Sequence, residues 1–197
     1  MDLQLSVFLL FILFTAGHSL SCYECMSPTG SCAEQTVKTC PIGYSQCMSL
    51  TTERQVGDIT FKVKAKDCAV TCQSWSMNFG FARTTSSCCD TNKCNAQDAP
   101  DPIPNGKKCY FCDDKSCSNK LSCLGTEDRC IKATGTFEGQ SVLKGCVSKS
   151  ICDDTTSAGV GSGNVTCCEG NLCNGAQSVT QSFLFLCCSL LSYFMMH

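Results

Sequence analysis

The chain has 197 residues and a formal net charge of −2, and 22 of its residues are cysteine. A charge this close to zero gives no indication of a nucleic-acid partner. So many cysteines in a chain of this length indicate a scaffold held by disulfides rather than by a large hydrophobic core.

The N-terminus has the features of a secretory signal peptide. An apolar run extends from Leu5 to Ala16, and the small residues Gly17 and Ser19 stand at positions −3 and −1 of a cut before Leu20. The alternative interpretation is a buried N-terminal helix. We predict that residues 1–19 are removed and that the chain enters an oxidising compartment, where disulfides persist and a cytosolic metal site is not expected.

A ten-cysteine pattern occurs twice. Each copy opens with C-x-x-C (CYEC, then CYFC) and closes with a vicinal pair and a Cys-Asn end (CCDTNKCN, then CCEGNLCN). An even number of cysteines in each copy predicts two small disulfide-closed modules, at 20–95 and 107–174. The copies comprise Cys22, Cys25, Cys32, Cys40, Cys47, Cys68, Cys72, Cys88, Cys89 and Cys94, and then Cys109, Cys112, Cys117, Cys123, Cys130, Cys146, Cys152, Cys167, Cys168 and Cys173.

Residues 96–106 separate the two modules. This segment contains Pro100, Pro102 and Pro104, each of which fixes its own φ angle and donates no backbone hydrogen bond. We therefore predict an extended, semi-rigid linker.

Each module is expected to consist of short antiparallel hairpins, which makes the fold all-β and disulfide-rich. Between Cys47 and Cys68, apolar residues alternate with polar ones, and Val56-Gly57-Asp58 supplies a turn. The second copy repeats this pattern between Cys130 and Cys146. Third hairpins are predicted at 72–88 and 152–167, and no amphipathic helix of useful length is evident.

The predicted strand after Gly57 has two distinct faces. One face carries apolar side chains, namely Ile59, Phe61, Val63 and Ala65, and the other carries Lys62, Lys64 and Lys66. We interpret the lysine stripe as a solvated face or as a charged guard against edge pairing. The alternative is contact with an acidic partner or a sulfated glycan.

A second alternating run contains Trp75, Met77, Phe79 and Phe81. On a strand these four side chains share one face. They are expected to pack against a neighbouring finger or the second module. The alternative is an exposed patch that contacts a protein ligand, because aromatic residues and methionine are enriched in interface cores.

Asn164-Val165-Thr166 is a sequon for N-glycosylation, so Asn164 is a predicted glycan acceptor. Occupancy is open, because the neighbouring Cys167 can hinder transfer of the glycan.

The C-terminus has the features of a glycosylphosphatidylinositol (GPI) anchor signal. Small residues at 174–176 precede a polar spacer and an apolar tail from Phe183 to Met196, which is short for a membrane-spanning helix. We predict attachment at Asn174 or Gly175 and removal of the signal within 175–197. The alternatives are a short single-pass tail and a secreted protein with an apolar end.

Catalysis is not expected. The histidines, His18 and His197, both lie in segments that processing should remove, so no imidazole base is available for a nucleophilic triad. A Cys/His zinc site lacks its imidazole as well, and no βαβ pattern surrounds the C-x-x-C pairs as a redox site requires. We therefore predict no enzyme activity, no metal and no cofactor.

The doubled pattern, with its closing CC-x4-CN, resembles the three-finger modules of the lymphocyte-antigen-6/urokinase-receptor family. The second module is similar to urokinase-receptor modules and to two-module phospholipase inhibitors in PNGKKC (104–109), CLGTEDRCIKATGT (123–136) and KGCVSKSIC (144–152), whereas the first is more divergent. The resemblance implies the disulfides Cys22–Cys47, Cys25–Cys32, Cys40–Cys68, Cys72–Cys88, Cys89–Cys94, Cys109–Cys130, Cys112–Cys117, Cys123–Cys146, Cys152–Cys167 and Cys168–Cys173.

The resemblance also implies a function, because members of this family are non-enzymatic binders. We predict a GPI-anchored glycoprotein on the extracellular side of the plasma membrane that binds an extracellular or membrane protein through its fingers. The alternative is a soluble secreted inhibitor of the phospholipase-inhibitor type. A redox or metal protein is a third hypothesis, and it requires free thiols in the mature chain.

Overall fold

The computed structural model describes residues 19–98, 101–137, 140–158 and 164–175. Residues 1–18 of the predicted signal peptide and residues 176–197 of the predicted anchor signal lie outside the described residues, as do residues 138–139. Within the described ranges, no helix is both long enough and apolar enough to cross a membrane.

The first module consists of three successive hairpins. The longest, β3–β4, reverses direction at Gly57, whose φ of 61° favours glycine. Its two strands pair without a break from Cys47 opposite Cys68 to Val56 opposite Ile59. The strands of this module are β1 (Ser21–Ser27), β2 (Thr36–Thr39), β3 (Gln46–Val56), β4 (Ile59–Ala69), β5 (Trp75–Asn78) and β6 (Ala82–Cys89).

The second module follows the same plan, but its third hairpin differs. A helix replaces the first half of the hairpin predicted at 152–167, so that prediction was wrong, as was the expectation of no amphipathic helix of useful length. Strand β7 begins at Pro104, inside the expected linker. The elements of this module are β7 (Pro104–Phe111), β8 (Asn119–Leu124), β9 (Arg129–Phe137), β10 (Gln140–Val147), α1 (Lys149–Ala158) and β11 (Asn164–Cys168).

The modules join through their sheets. Nine strands form one sheet in the order β11-β9-β10-β5-β6-β3-β4-β1-β2, and β7 and β8 form a separate pair. The junction lies between β10 and β5, where Val147 pairs with Met77 and Cys146 pairs with Asn78. The amide of Ser148 also donates to the Ser76 carbonyl at 2.8 Å. Backbone hydrogen bonds therefore connect the two modules directly, in addition to the linker.

Disulfides make up the centre of each module. The buried core of the first module is Cys22, Cys40, Cys47 and Cys68, and that of the second is Cys109, Cys123, Cys130 and Cys146. Because sulfur replaces aliphatic carbon at the hub, each small module is stabilised mainly by cross-links rather than by apolar burial. The ten disulfides join the same pairs that the family resemblance implies.

One buried asparagine closes each hub. Asn95 accepts a hydrogen bond from the Tyr23 amide at 2.8 Å and donates to the carbonyls of Tyr23 and Met48 at 2.9 and 3.2 Å. Asn174 does the same in the second module, with the amide and carbonyl of Tyr110 and the carbonyl of Ile131. These residues are the asparagines of the two repeated Cys-Asn ends, and the structure gives them a role in holding the first and second hairpins together.

Candidate protein-binding surface

The β3–β4 hairpin presents apolar side chains to solvent. Val56, Ile59, Phe61 and Val63 are 53%, 61%, 53% and 39% exposed, and we call this set the apolar face. Contiguous exposed apolar surface is uncommon on soluble monomers and marks sites of interaction.

The strand register makes the apolar face continuous. Val56 lies directly opposite Ile59, and Phe61 lies opposite Arg54. Directly opposed residues of antiparallel strands point to the same side of the sheet and touch. Two strands therefore contribute to one surface that begins at the fingertip and continues toward the hub.

The opposite face of the hairpin carries the lysines, and the interpretation of a solvated stripe was wrong. Lys66 is only 3% exposed, and its ammonium donates to Gln35 Oε1 and to the Ala96 carbonyl, both at 2.9 Å. Lys64 is bonded to Asp98. Lys62 pairs with Glu53 at 2.6 Å.

Partners within this chain thus hold the whole lysine stripe, since Asp98 also lies 3.4 Å from the Lys66 ammonium. The ion pair with Lys64 lowers the pKa of Asp98, and the hydrogen bond from Lys62 lowers the pKa of Glu53, so both carboxylates stay charged at neutral pH. Asp98 belongs to the linker, and its pairing fastens the start of the linker to the first module. The polar face is accordingly satisfied from within the chain, and the apolar face is the one left for a partner.

An open groove of about 650 Å³ lies between the modules, next to the fingertip. Its near wall is formed by Arg54, Val56 and Phe81 of the first module. Its far wall consists of residues from β7, β10 and the loop after β7, namely Phe111, Asp113, Asp114 and Leu143. The groove is large enough for the anchor side chains of a ligand.

The acidic loop on the far wall is held rigidly by its own hydrogen bonds. One carboxylate oxygen of Asp113 accepts from the amides of Lys115 and Ser116 at 2.9 and 2.7 Å, and the other accepts from Asn119 Nδ2 at 2.7 Å. These bonds lower the pKa of Asp113, led by the one from Lys115. The groove therefore combines an apolar wall with a fixed negative charge. Sequence reasoning missed this site because its two walls are far apart in the chain and no local pattern connects them.

The run predicted to form one strand face is divided between two roles. Strand β5 ends at Asn78, because Gly80 takes a φ of 85° and the Phe79 amide donates to the Ala82 carbonyl at 2.9 Å to close a turn. Trp75 and Met77 thus lie on the strand, and Phe79 and Phe81 lie outside it. The single face predicted for all four was wrong for the last two.

Two of these four residues pack against the second module. Met77 and Phe79 contact the cluster of Ile131, Val147 and Cys152. Phe81 lines the groove, and Trp75 is half-buried opposite Ser86. Trp75 and Phe81 therefore remain candidate ligand contacts, whereas Met77 and Phe79 contribute to the junction between modules.

The two predicted modification sites lie in different environments. Asn164 is exposed at the start of β11. Asn174 is 4% exposed and serves as the hub asparagine, and Gly175 follows it with its amide bonded to the Leu172 carbonyl at 3.3 Å.

A disulfide hub with hairpin fingers, present in two copies, defines a double three-finger protein. The u-PAR/Ly-6 domain model matches residues 18–97, and the snake toxin and toxin-like protein model matches residues 108–174. The chain belongs to the u-PAR/Ly-6 family.

Three relatives illustrate the range of that family. A phospholipase A2 inhibitor of the gamma type from Laticauda semifasciata is 29% identical, over 68% of this chain and 84% of the inhibitor. Phospholipase A2 inhibitor NAI of Notechis ater is 29% identical, over 69% of this chain and 78% of the inhibitor. Human Ly6/PLAUR domain-containing protein 2 is 33% identical, over 42% of this chain and 67% of that protein. The inhibitor alignments span enough of the chain to include parts of both modules.

Proposed function

We propose that this chain is a GPI-anchored cell-surface glycoprotein that binds an extracellular protein through its fingers and catalyses no reaction. The observation that carries the proposal is the apolar face, which a folded β hairpin exposes at the tip of the first module while its lysines are held on the opposite side. Burial of such a surface is a dominant favourable contribution to protein association.

The state of the cysteines supports a binding role over a redox or hydrolytic one. Every cysteine among the described residues is in a disulfide, so none of them offers a thiolate nucleophile or a thiolate ligand. The proposal therefore involves no cofactor and no metal.

Capture from cells tests the binding role. The purified mature protein should retain a specific protein from detergent-solubilised membranes or from serum. Phe61→Ser should abolish the capture, because it removes an aromatic side chain from the apolar face. Ile42→Ser is the matched control, since Ile42 is fully exposed in a hub loop away from that face. Equal capture by the two variants would remove the apolar face from the binding site.

Trp75→Ala tests the remaining aromatic candidate in the same assay. Truncation of an aromatic hot spot costs about 2 kcal/mol of binding free energy or more. Weaker capture with an unchanged melting temperature would assign Trp75 to the ligand site, and a lowered melting temperature with unchanged affinity would assign it to packing.

The anchor is proposed from the C-terminal sequence, with attachment at Asn174 or Gly175. Phosphatidylinositol-specific phospholipase C should release the protein from intact cells. Replacing Phe185 and Leu186 with arginine should prevent surface display, because a charged tail does not partition into the bilayer. Ser182→Thr in the polar spacer is the control and should leave display unchanged. Lipase-sensitive display of the arginine variant would contradict the proposed signal.

Glycosylation is proposed at Asn164, which is exposed at the start of β11. Treatment with an N-glycosidase should lower the apparent mass of the wild-type protein. Thr166→Ala should abolish that shift, whereas Thr166→Ser keeps the sequon and should preserve it.

A second candidate function is soluble inhibition of a secreted phospholipase A2. The observation that favours it is the similarity to proteins that carry this name. Hydrolysis of phosphatidylcholine vesicles by secreted phospholipases A2 would be measured with and without the purified mature protein. Inhibition by protein recovered from the culture medium, with no lipase-releasable pool on cells, would favour this candidate over the anchored one.

A further inference from the structure

The groove between the modules combines apolar surface from both walls with negative charge on its far wall. Val56 and Phe81 of the first module and Leu143 of the second provide apolar surface. Arg54 lies on the near wall, and Asp113 and Asp114 lie on the far wall. A ligand with a positive charge is attracted to the acids of the far wall.

The geometry of the far wall adds specificity to this attraction. Three hydrogen bonds hold the Asp113 carboxylate in place, so its charge does not have to be ordered when a ligand binds. The Phe111 ring lies against Gly80, where an added Cβ would be 2.4 Å from the ring. This contact fixes the far wall against the near wall and sets the width of the groove.

The groove also continues into the apolar face. Val56 belongs to both, and it lies opposite Ile59 at the fingertip. A partner segment that covers the fingertip can therefore continue in the same direction and place its next residues in the groove.

We propose, on the basis of the protein-binding function argued above, that the groove binds an apolar segment of the partner that carries a lysine or arginine at the end facing Asp113 and Asp114. The apolar side chains of this segment occupy the space between Val56, Phe81 and Leu143. Its basic residue pairs with the aspartates.

Two short synthetic peptides test the proposal directly. One alternates leucine and lysine, and the other has glutamate in place of lysine. Fluorescence anisotropy would measure the binding of each fluorescein-labelled peptide to the purified mature protein. We expect the lysine peptide to bind about tenfold more tightly than the glutamate peptide, because each charge reversal at a complementary site changes affinity by about this factor.

Variants separate the two parts of the site. Asp114→Lys should weaken binding of the lysine peptide and strengthen binding of the glutamate peptide. Asp90→Lys, a reversal at an exposed residue of the hub loop, should leave both affinities unchanged. Val56→Ser should weaken the binding of both peptides about fivefold, and Ile42→Ser should weaken the binding of neither. Thermal melts of all four variants would verify that each is folded.

Equal affinity for the two peptides, or an unchanged peptide preference in Asp114→Lys, would overturn the proposal. The proposal would also be overturned if the wild-type protein co-sedimented with phosphatidylcholine vesicles and Val56→Ser did not, because the apolar wall would then contact a lipid surface. This outcome differs from a failure of the proposed function. If both Val56→Ser and Asp114→Lys still capture a protein from membranes or serum, the binding role stays intact and its site lies outside the groove.

Discussion

Ser76 of the first module and Glu127 of the second share a hydrogen bond of 2.7 Å, which the Ser76 hydroxyl donates to the Glu127 carboxylate. The other carboxylate oxygen accepts from the Leu124 amide at 2.8 Å. Glu127 is fully buried, and this burial raises its pKa above the ordinary value of 4.5. A titratable group is thus enclosed at the boundary between the modules.

The raised pKa predicts how stability depends on pH. Between the ordinary value of 4.5 and the higher folded value, the folded protein holds more protons than the unfolded one, so the contribution of Glu127 to the free energy of unfolding falls as pH rises. Glu127→Gln keeps the shape of the side chain but does not titrate. The melting temperature of this variant relative to wild type should therefore increase as pH rises through that window.

The comparison requires a control for the loss of one negative charge. Glu34→Gln removes an exposed carboxylate from the first module and controls for the lost charge. If the difference in melting temperature between Glu127→Gln and wild type were constant with pH, the Glu127 carboxylate would not titrate at a raised pKa.

Gly80 tests the contact that fixes the groove. Gly80 and Gly43 both have positive φ, 85° and 94°, but of these two only Gly80 would bring an added Cβ into a clash with a ring. Each alanine substitution should cost about 1–2 kcal/mol of stability for the backbone strain. Gly80→Ala should cost about 1–3 kcal/mol more because of overpacking against Phe111.

A double variant isolates this steric contribution. Adding Phe111→Ala to Gly80→Ala should recover part of the lost melting temperature, and adding it to Gly43→Ala should not. Equal losses in the two single glycine variants would show that the ring moves aside without cost.

The hub asparagine of the first module predicts a large effect from a small change. Asn95→Ala leaves the Tyr23 amide and two carbonyls without their partner, and unsatisfied buried groups cost about 1–3 kcal/mol each. Asn92→Ala is the matched control, because Asn92 receives one exposed hydrogen bond, from the Ser21 amide at 2.9 Å. Thermal melts should show a loss for Asn95→Ala that is clearly larger than that for Asn92→Ala. Similar losses would mean that disulfides alone close the hub.

The junction between modules predicts a contrast between two methionines. Met77 packs against Val147 across the boundary, whereas Met26 is 79% exposed on β1. Met77→Ala should destabilise the protein by about 2–5 kcal/mol, as for other large-to-small changes in a packed site, and Met26→Ala should have almost no effect. Hydrogen exchange at Val147 should also accelerate in Met77→Ala. Unchanged exchange would indicate that backbone pairing holds the modules without this side chain.

The sequence predicted the β3–β4 hairpin but not its orientation. A period of two defines two faces, and the usual assignment places the apolar one inside. Here the disulfide hub supplies the core, so Ile59 and Phe61 have no interior to enter. The inner face instead meets Gln35 and the linker residue Asp98, which bind the ammonium groups of Lys66 and Lys64. Those partners are remote in sequence, and no local pattern indicates them.

The helix α1 was missed for a related reason. Its sequence, KSICDDTTSA, is ten residues long and mostly polar, so few apolar residues are present to indicate a helical period. Tertiary contacts support the helix instead. Cys152 is bonded to Cys167 of β11, and Asp128 accepts a hydrogen bond from the Lys149 amide at the first turn. By contrast, the disulfide pairing agreed with the family resemblance, which carries information that cysteine spacing alone does not.

The short pairing between β5 and β10 also determines how the protein responds to force. A load applied at the C-terminal end, against a partner held at the fingertip near Gly57, passes through the paired residues at Met77 and Val147 and through the Ser76 contacts. Disulfides keep each module closed under tension, whereas among the described residues noncovalent bonds and the linker hold the two modules together. The junction is therefore the first point to yield, and its separation would open the groove before either module unfolds.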